Sequence, residues 1–139
     1  MSYISPVVTV SIQKTTSQSI GAGVIPITSY TAQDWNLGTT VSLASGTITI
    51  IQQGYYLISS VLNFATGTTA STDRSSLIQI NSVLLQEVNI PSELDNATRV
   101  NNTLMAKLNV SDVVTLAAFQ NDGTTLNVGF CRLQLLKIG

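Results

Sequence analysis

The acid–base groups and soft nucleophile offered by this 139-residue chain are seven carboxylates and one thiol, and it contains no histidine. Without histidine the commonest general base and metal ligand is missing, which removes Ser-His and Cys-His nucleophilic sites. No phosphate-binding loop and no cysteine cluster is present, so nucleotide and zinc chemistry lack their usual scaffolds. Asp34, Asp73, Glu93, Asp95 and Asp122 fall in expected loops, where carboxylates solvate turns or cap backbone amides far more often than they pair for acid–base work. Glu93 and Asp95 are the best placed for a calcium ion, which needs several loop oxygens, but no acidic pattern of a calcium loop surrounds them. Asp112 follows a turn at a strand start and is read as an acceptor of backbone hydrogen bonds. Cys131, in "FCRLQLLKI", has no partner cysteine and is read as a small buried hydrophobe. No catalytic residue, metal ligand or cofactor is therefore assigned, and an enzyme is not expected.

Composition turns the argument toward binding and structure. Only 9% of residues are charged and the net charge is −1, against about 25% charged in an average domain. That balance supplies no attraction to nucleic acid or to acidic membrane. Solubility rests instead on 34 Ser and Thr residues, whose short side chains lose little entropy in flat contacts. The start, "MSYISPVVTV", lacks a basic region followed by a long apolar core, so no signal peptide is expected.

The elements that would carry such contacts are all strands. Helical periodicity is nearly absent, and short apolar runs alternate with Gly, Asn, Asp, Ser and Thr. Ten strands are expected: 7–14, 23–30, 39–43, 47–51, 55–64, 75–80, 83–90, 102–109, 113–120 and 126–138. The turns "LASGT", "INSV" and "QNDGTT" join neighbours, and Trp35 falls between strands. It is assigned to packing, in the core or at an interface, in preference to a ligand platform. Two longer connections, 65–73 and 91–98, are the places with room for recognition. This spacing predicts a single-domain, all-β jelly-roll sandwich over residues 7–139, preceded by a short arm at 1–6.

The stretch "QQGYYLISSVLNF" is apolar on both faces, whereas a strand in a small antiparallel protein normally turns one face to water. A family resemblance supplies a cover for the second face. "TITIIQQGYYLISSVLNF" resembles the strand-turn-strand shared by complement globular heads and tumour-necrosis-factor ligands, "SLIQINSVLL" their strand ending in Asn-Gly, and "LMAKLNVSDVVTLAAFQN" their Leu-x-x-Gly-Asp-x-Val pattern. The match spans roughly residues 7–138. Gln53 stands where the family often has Pro, and Ser82 and Ser111 where it has Gly. The C-terminal "QNDGTTLNVGFCRLQLLKIG" is closer to the bacteriophage and bacterial surface members.

That resemblance implies a compact homotrimer. Tyr56, Ile58, Ser60 and Leu62 would enter the core. Tyr55, Leu57, Ser59 and Val61 would face the threefold axis, joined by Asn101, Thr103, Met105 and Lys107 from a later strand. Its bacteriophage members point to a capsid decoration or cement protein on the outer surface of a virion assembled in a bacterial cytoplasm. The partners would be the chain itself and a major capsid or other virion protein, with Tyr3 and Ile4 of the arm touching the capsid or a neighbour. The alternative is a receptor-binding tip of a phage fibre or bacterial filament, reading cell-surface glycan or protein through Thr69, Asp73, Glu93 and Asp95. An animal-type secreted ligand would call for a leader or anchor.

Overall fold

The computed structural model describes residues 7–67, 72–93 and 96–139. Tyr3, Ile4, Thr69 and Asp95 lie outside the described residues, as does the arm at 1–6. Among the described residues there are twelve strands and no helix. They are β1 (Thr9–Lys14), β2 (Gln18–Ile20), β3 (Gly23–Pro26), β4 (Ala32–Leu37), β5 (Thr39–Ser42), β6 (Thr47–Ile50), β7 (Gly54–Phe64), β8 (Asp73–Ile80), β9 (Val83–Pro91), β10 (Thr98–Leu108), β11 (Val113–Gln120) and β12 (Leu126–Lys137).

All pairings are antiparallel and build two facing sheets. The first runs β10-β7-β12-β1-β4 with β2 on β12, and the second runs β5-β6-β11-β8-β9 with β3 on β11. This is a jelly-roll sandwich, as the strand spacing predicted. Strict alternation on β7 sends Tyr56, Ile58, Leu62 and Phe64 inward to meet Val10, Ile12, Leu133 and Leu135 of their own sheet and Ile48, Ile78, Val114 and Leu116 of the other. Each fully buried aliphatic or aromatic side chain contributes about 1.5–3 kcal/mol. The Tyr56 hydroxyl, at the margin, donates to the Gln52 carbonyl at 2.6 Å. Gly54 starts β7 because a side chain there would collide with the Gly139 carbonyl and the Lys137 stem.

Four expectations need correction. Ten strands become twelve, since β2 and β4 are additional and the segment expected at 23–30 is a strand only at Gly23–Pro26. Asp34 and Trp35 therefore sit on a strand and not in a loop. The sequence AQDWNL shows no apolar alternation because β4 is an edge strand, held by backbone pairing to β1. Its polar residues suit an edge that must not recruit other chains. Asp73 is the first residue of β8, so the connection expected at 65–73 ends one residue earlier. Likewise Pro91 and Thr98 belong to β9 and β10, which trims the second connection to 92–97.

Candidate functional site

The outward face of the first sheet gathers the residues that alternation had set opposite the core. Register puts Lys107 beside Tyr55, Met105 beside Leu57, Thr103 beside Ser59 and Asn101 beside Val61. All eight expected axial residues thus lie on one face, in four facing pairs. On the other side of β7, Leu136, Gln134 and Arg132 of β12 face Leu57, Ser59 and Val61, and Thr9 and Ser11 of β1 continue the rows to Leu37 and Trp35 of β4.

The face divides into two halves. Toward the Gly54 end, Tyr55, Leu57, Met105, Leu136 and Trp35 are between 39% and 64% exposed. Thr9, Trp35, Leu57, Ser59, Gln134 and Leu136 are among the residues lining a shallow groove of about 220 Å³ here. The indole N–H of Trp35 donates to Thr9 Oγ1 at 2.9 Å, which holds the ring beside the groove. Trp35 is accordingly excluded from the core half of its expected role. The other half is a polar ribbon, in which Gln134 donates to Ser11 at 3.2 Å and Ser11 to Asp34 at 2.9 Å. Arg132 donates to Gln13 at 3.0 Å, lies 3.9 Å from Asp34 and stacks over Phe130. An apolar patch rimmed by polar side chains has the anatomy of a protein interface.

The two long connections meet at the opposite end of the sandwich. Ser92 N–H donates to the Thr72 carbonyl at 2.8 Å, Thr72 N–H donates to Ser92 Oγ at 3.2 Å, and the two hydroxyls lie 2.9 Å apart. Asp73 is tied to the β11–β12 turn, since its N–H donates to Asn121 Oδ1 at 2.7 Å. Glu93 accepts from the Asn96 amide at 3.2 Å. It borders a depression of about 260 Å³ with Pro91, Asn96, Thr98 and Arg99. Of the four expected loop residues, then, Asp73 and Glu93 share one end of the molecule.

Sequence reasoning missed the group beneath these connections. Arg74 and Asp122 form a fully buried ion pair at 2.9 Å. Arg74 also donates to Thr72 Oγ1 at 2.8 Å and to the Asp73 carbonyl at 2.9 Å, while Asp122 accepts from Thr124 at 3.0 Å. Gly67 lies so close that a side chain there would strike both members. Asp122 was expected to solvate its turn; the one hint of pairing was an arginine directly before the uncharged run SSLIQI.

The remaining candidate groups are structural. Asp112 accepts from the Asn109 N–H at 2.8 Å and from the Asn81 amide at 2.9 Å. Cys131 is buried, and burial pushes its thiol up to about 11, so it holds its proton at neutral pH. Among the described residues, no group of three or more His, Cys, Asp or Glu side chains could hold a metal ion.

No family model matches this chain, and no curated protein matches it in sequence. Solved structures do. The globular domain of the zebrafish complement 1qA protein is similar at a TM-score of 0.72 with 12% identity, over 95% of this chain and 98% of that one. Murine APRIL is similar at 0.69 with 13% identity, over 95% and 99%. The PRD1 vertex protein P5 is similar at 0.71 with 18% identity, over 97% and 99%. None of the three is described as an enzyme. The chain has the jelly-roll fold common to complement globular heads and tumour-necrosis-factor ligands, and identities this low speak to fold alone.

Proposed function

We propose that this chain is a structural virion protein, a homotrimeric bacteriophage decoration protein that sits on the outside of the capsid and clamps neighbouring capsomers. The observation that carries the reading is the apolar half-face of Tyr55, Leu57, Met105, Leu136 and Trp35, left open to water on a single chain. Two further copies arranged about a threefold axis would cover it, as the family resemblance implies, and an obligate interface of that kind buries more than about 2,000 Å². The likeness in fold to a protein described as a vertex protein supports a place in a particle. Low charge and a hydroxyl-rich surface suit a protein whose work is close contact with other proteins.

A second reading rests on a separate observation. Thr72 and Ser92 tie the ends of the two long connections together, beside the buried Arg74–Asp122 pair, which supports recognition of a cell-surface glycan or protein at a fibre tip. Light scattering of the purified chain followed by co-sedimentation with undecorated capsids separates the two. A trimer that pellets with capsids supports decoration, a trimer that stays in solution favours the tip, and a monomer overturns both. Removing residues 1–6, with Tyr3 and Ile4, is expected to leave the trimer mass unchanged and to lower capsid occupancy. Undiminished occupancy would retire the arm as a contact.

A further inference from the structure

A closed ring of three copies cannot press one patch against the same patch, because only a twofold axis does that; each interface of a cyclic trimer joins two different surfaces. The apolar half-face is therefore one half of a contact, and the chain must carry the other half elsewhere. The groove in that face shows from which side the other half arrives. Its lining residues, Trp35 and Leu57 among them, come from β1, β4, β7 and β12 and none from β10, which places it toward the β4 side of the first sheet. The β4 side of each copy thus receives, and the opposite side, where β10 ends the sheet, is the one that can enter.

On that opposite side β9, the edge of the second sheet, stands against β10. The Gln86 amide donates to Asn102 Oδ1 at 2.8 Å and to the Thr103 carbonyl at 3.0 Å, and the Asn102 amide donates to the Gln86 carbonyl at 3.1 Å. The edge so fixed is apolar at its start, with Leu84 and Leu85 47% and 42% exposed. Leu85 is the extra residue of a bulge, since Leu84 faces Gln79 and Gln86 faces Ile78, and a bulge re-aims the side chain it adds. Glu87 is exposed, two residues and about 6.6 Å further along the strand.

Charge supplies the match. With the buried Arg74–Asp122 pair set aside, β8 and β9 carry Asp73 and Glu87 and no cation. The outward face of the first sheet carries Arg99, Lys107 and Arg132 against one acid, Asp34. Arg132 flanks the groove, two residues from Gln134 in its lining. Its Nη2 donates to Gln13; among the described residues its Nη1 makes no hydrogen bond, and neither does the Glu87 carboxylate.

We propose that the β9 edge of the next copy occupies the groove, with Leu85 seated beside Trp35 and Leu57 and the Glu87 carboxylate accepting from Arg132 Nη1. The inference rests on the trimer proposed above and names the two surfaces that it joins. It is tested by light scattering over a dilution series of the wild-type protein, Leu85→Asp, Glu87→Arg, Arg132→Glu and the Glu87→Arg/Arg132→Glu double variant, with urea unfolding as the check on each fold. Leu85 and Glu87 are exposed on the single chain, so their variants should unfold as cooperatively as the wild type. Leu85→Asp should run as a single chain. Each charge reversal should raise the concentration of half-dissociation at least about tenfold, and the double variant should regain most of that loss, because opposite charges again face each other across the contact. Should Arg132→Glu fail to fold, with a second carboxylate set beside Asp34, Leu85→Asp and Glu87→Arg decide. A wild-type trimer whose mass and dilution behaviour are shared by Leu85→Asp and Glu87→Arg overturns the inference and leaves the trimer standing. A folded double variant that regains nothing overturns the match of Glu87 to Arg132. Wild-type protein that runs as a single chain or as a dimer removes the trimer reading and this inference together.

Discussion

Four described non-glycine residues, Ser29, Asn81, Ser82 and Ser111, hold a conformation that normally falls to glycine. Asn81 and Ser82 form the two-residue β8–β9 turn with φ of 52° and 65°, and Ser111 reaches 74° before Asp112. Positive φ at both centre positions is the primed turn that fits strand twist. The resemblance had set Ser82 and Ser111 against family glycines, and the backbone keeps the glycine geometry although the side chain changed. A left-handed non-glycine residue costs about 1–2 kcal/mol, less the extra freedom that glycine loses on folding. Ser82→Gly and Ser111→Gly should each therefore raise stability by about 0.5–1 kcal/mol in urea unfolding, and a loss at either site would mean that its serine makes a compensating bond. Cys131 sets a pH dependence. The folded thiol keeps its proton up to about pH 11, whereas its ordinary value is 9.0, so between these values the folded state binds the extra proton. The stability from this burial is full below pH 9 and is lost as pH rises toward 11, at no more than about 1.4 kcal/mol per pH unit. Burial raises Tyr30, beside it, in the same direction. Cys131→Ala should flatten the alkaline decline without abolishing it, and an unchanged slope would place the effect elsewhere.

At the scale of elements, the Arg74–Asp122 pair joins the start of β8 to the β11–β12 turn beneath Gly67. Removing one member of a buried pair leaves the other charge without its counterion, which costs about 3–5 kcal/mol, while replacing both by apolar groups is often close to neutral. Asp122→Asn should lower urea stability by an amount in that range. Arg74→Met/Asp122→Leu should lose clearly less; an equal loss would show that the surrounding hydroxyls, and not the pair itself, carry the stability. The elements differ in how far the sequence revealed them. β7 and β10 alternate without interruption, so the grouping of Tyr55, Leu57, Met105 and Lys107 on one face followed residue by residue once the family resemblance had said which face is axial. β4 was illegible because an edge strand takes its order from the neighbour's backbone, and AQDWNL has no pattern of its own.

For the whole molecule, the apolar half-face and the β9 edge of Leu84 and Leu85 are both exposed on the single chain. Leu57→Asp should leave the protomer folded, because the side chain points away from the core, and should disperse the proposed trimer by placing three like charges near the proposed axis. Protein that keeps its trimer mass in light scattering would remove the axial assignment. The sequence by itself determined the class of fold and which residues share a strand face, because period-two alternation and turn chemistry are local properties that survive in one dimension; which face of β7 turns inward came from the family resemblance. It also exposed the two-faced apolar strand, since an excess of hydrophobicity needs no coordinates to be counted. Only the tertiary structure decided that Arg74 meets Asp122, that Trp35 stands beside Leu57 and Leu136, and that Gln86 of one sheet is tied to Asn102 of the other. Those relations join residues far apart in the chain, and the crossing of strands between two sheets, which no local pattern encodes, is what brings them together.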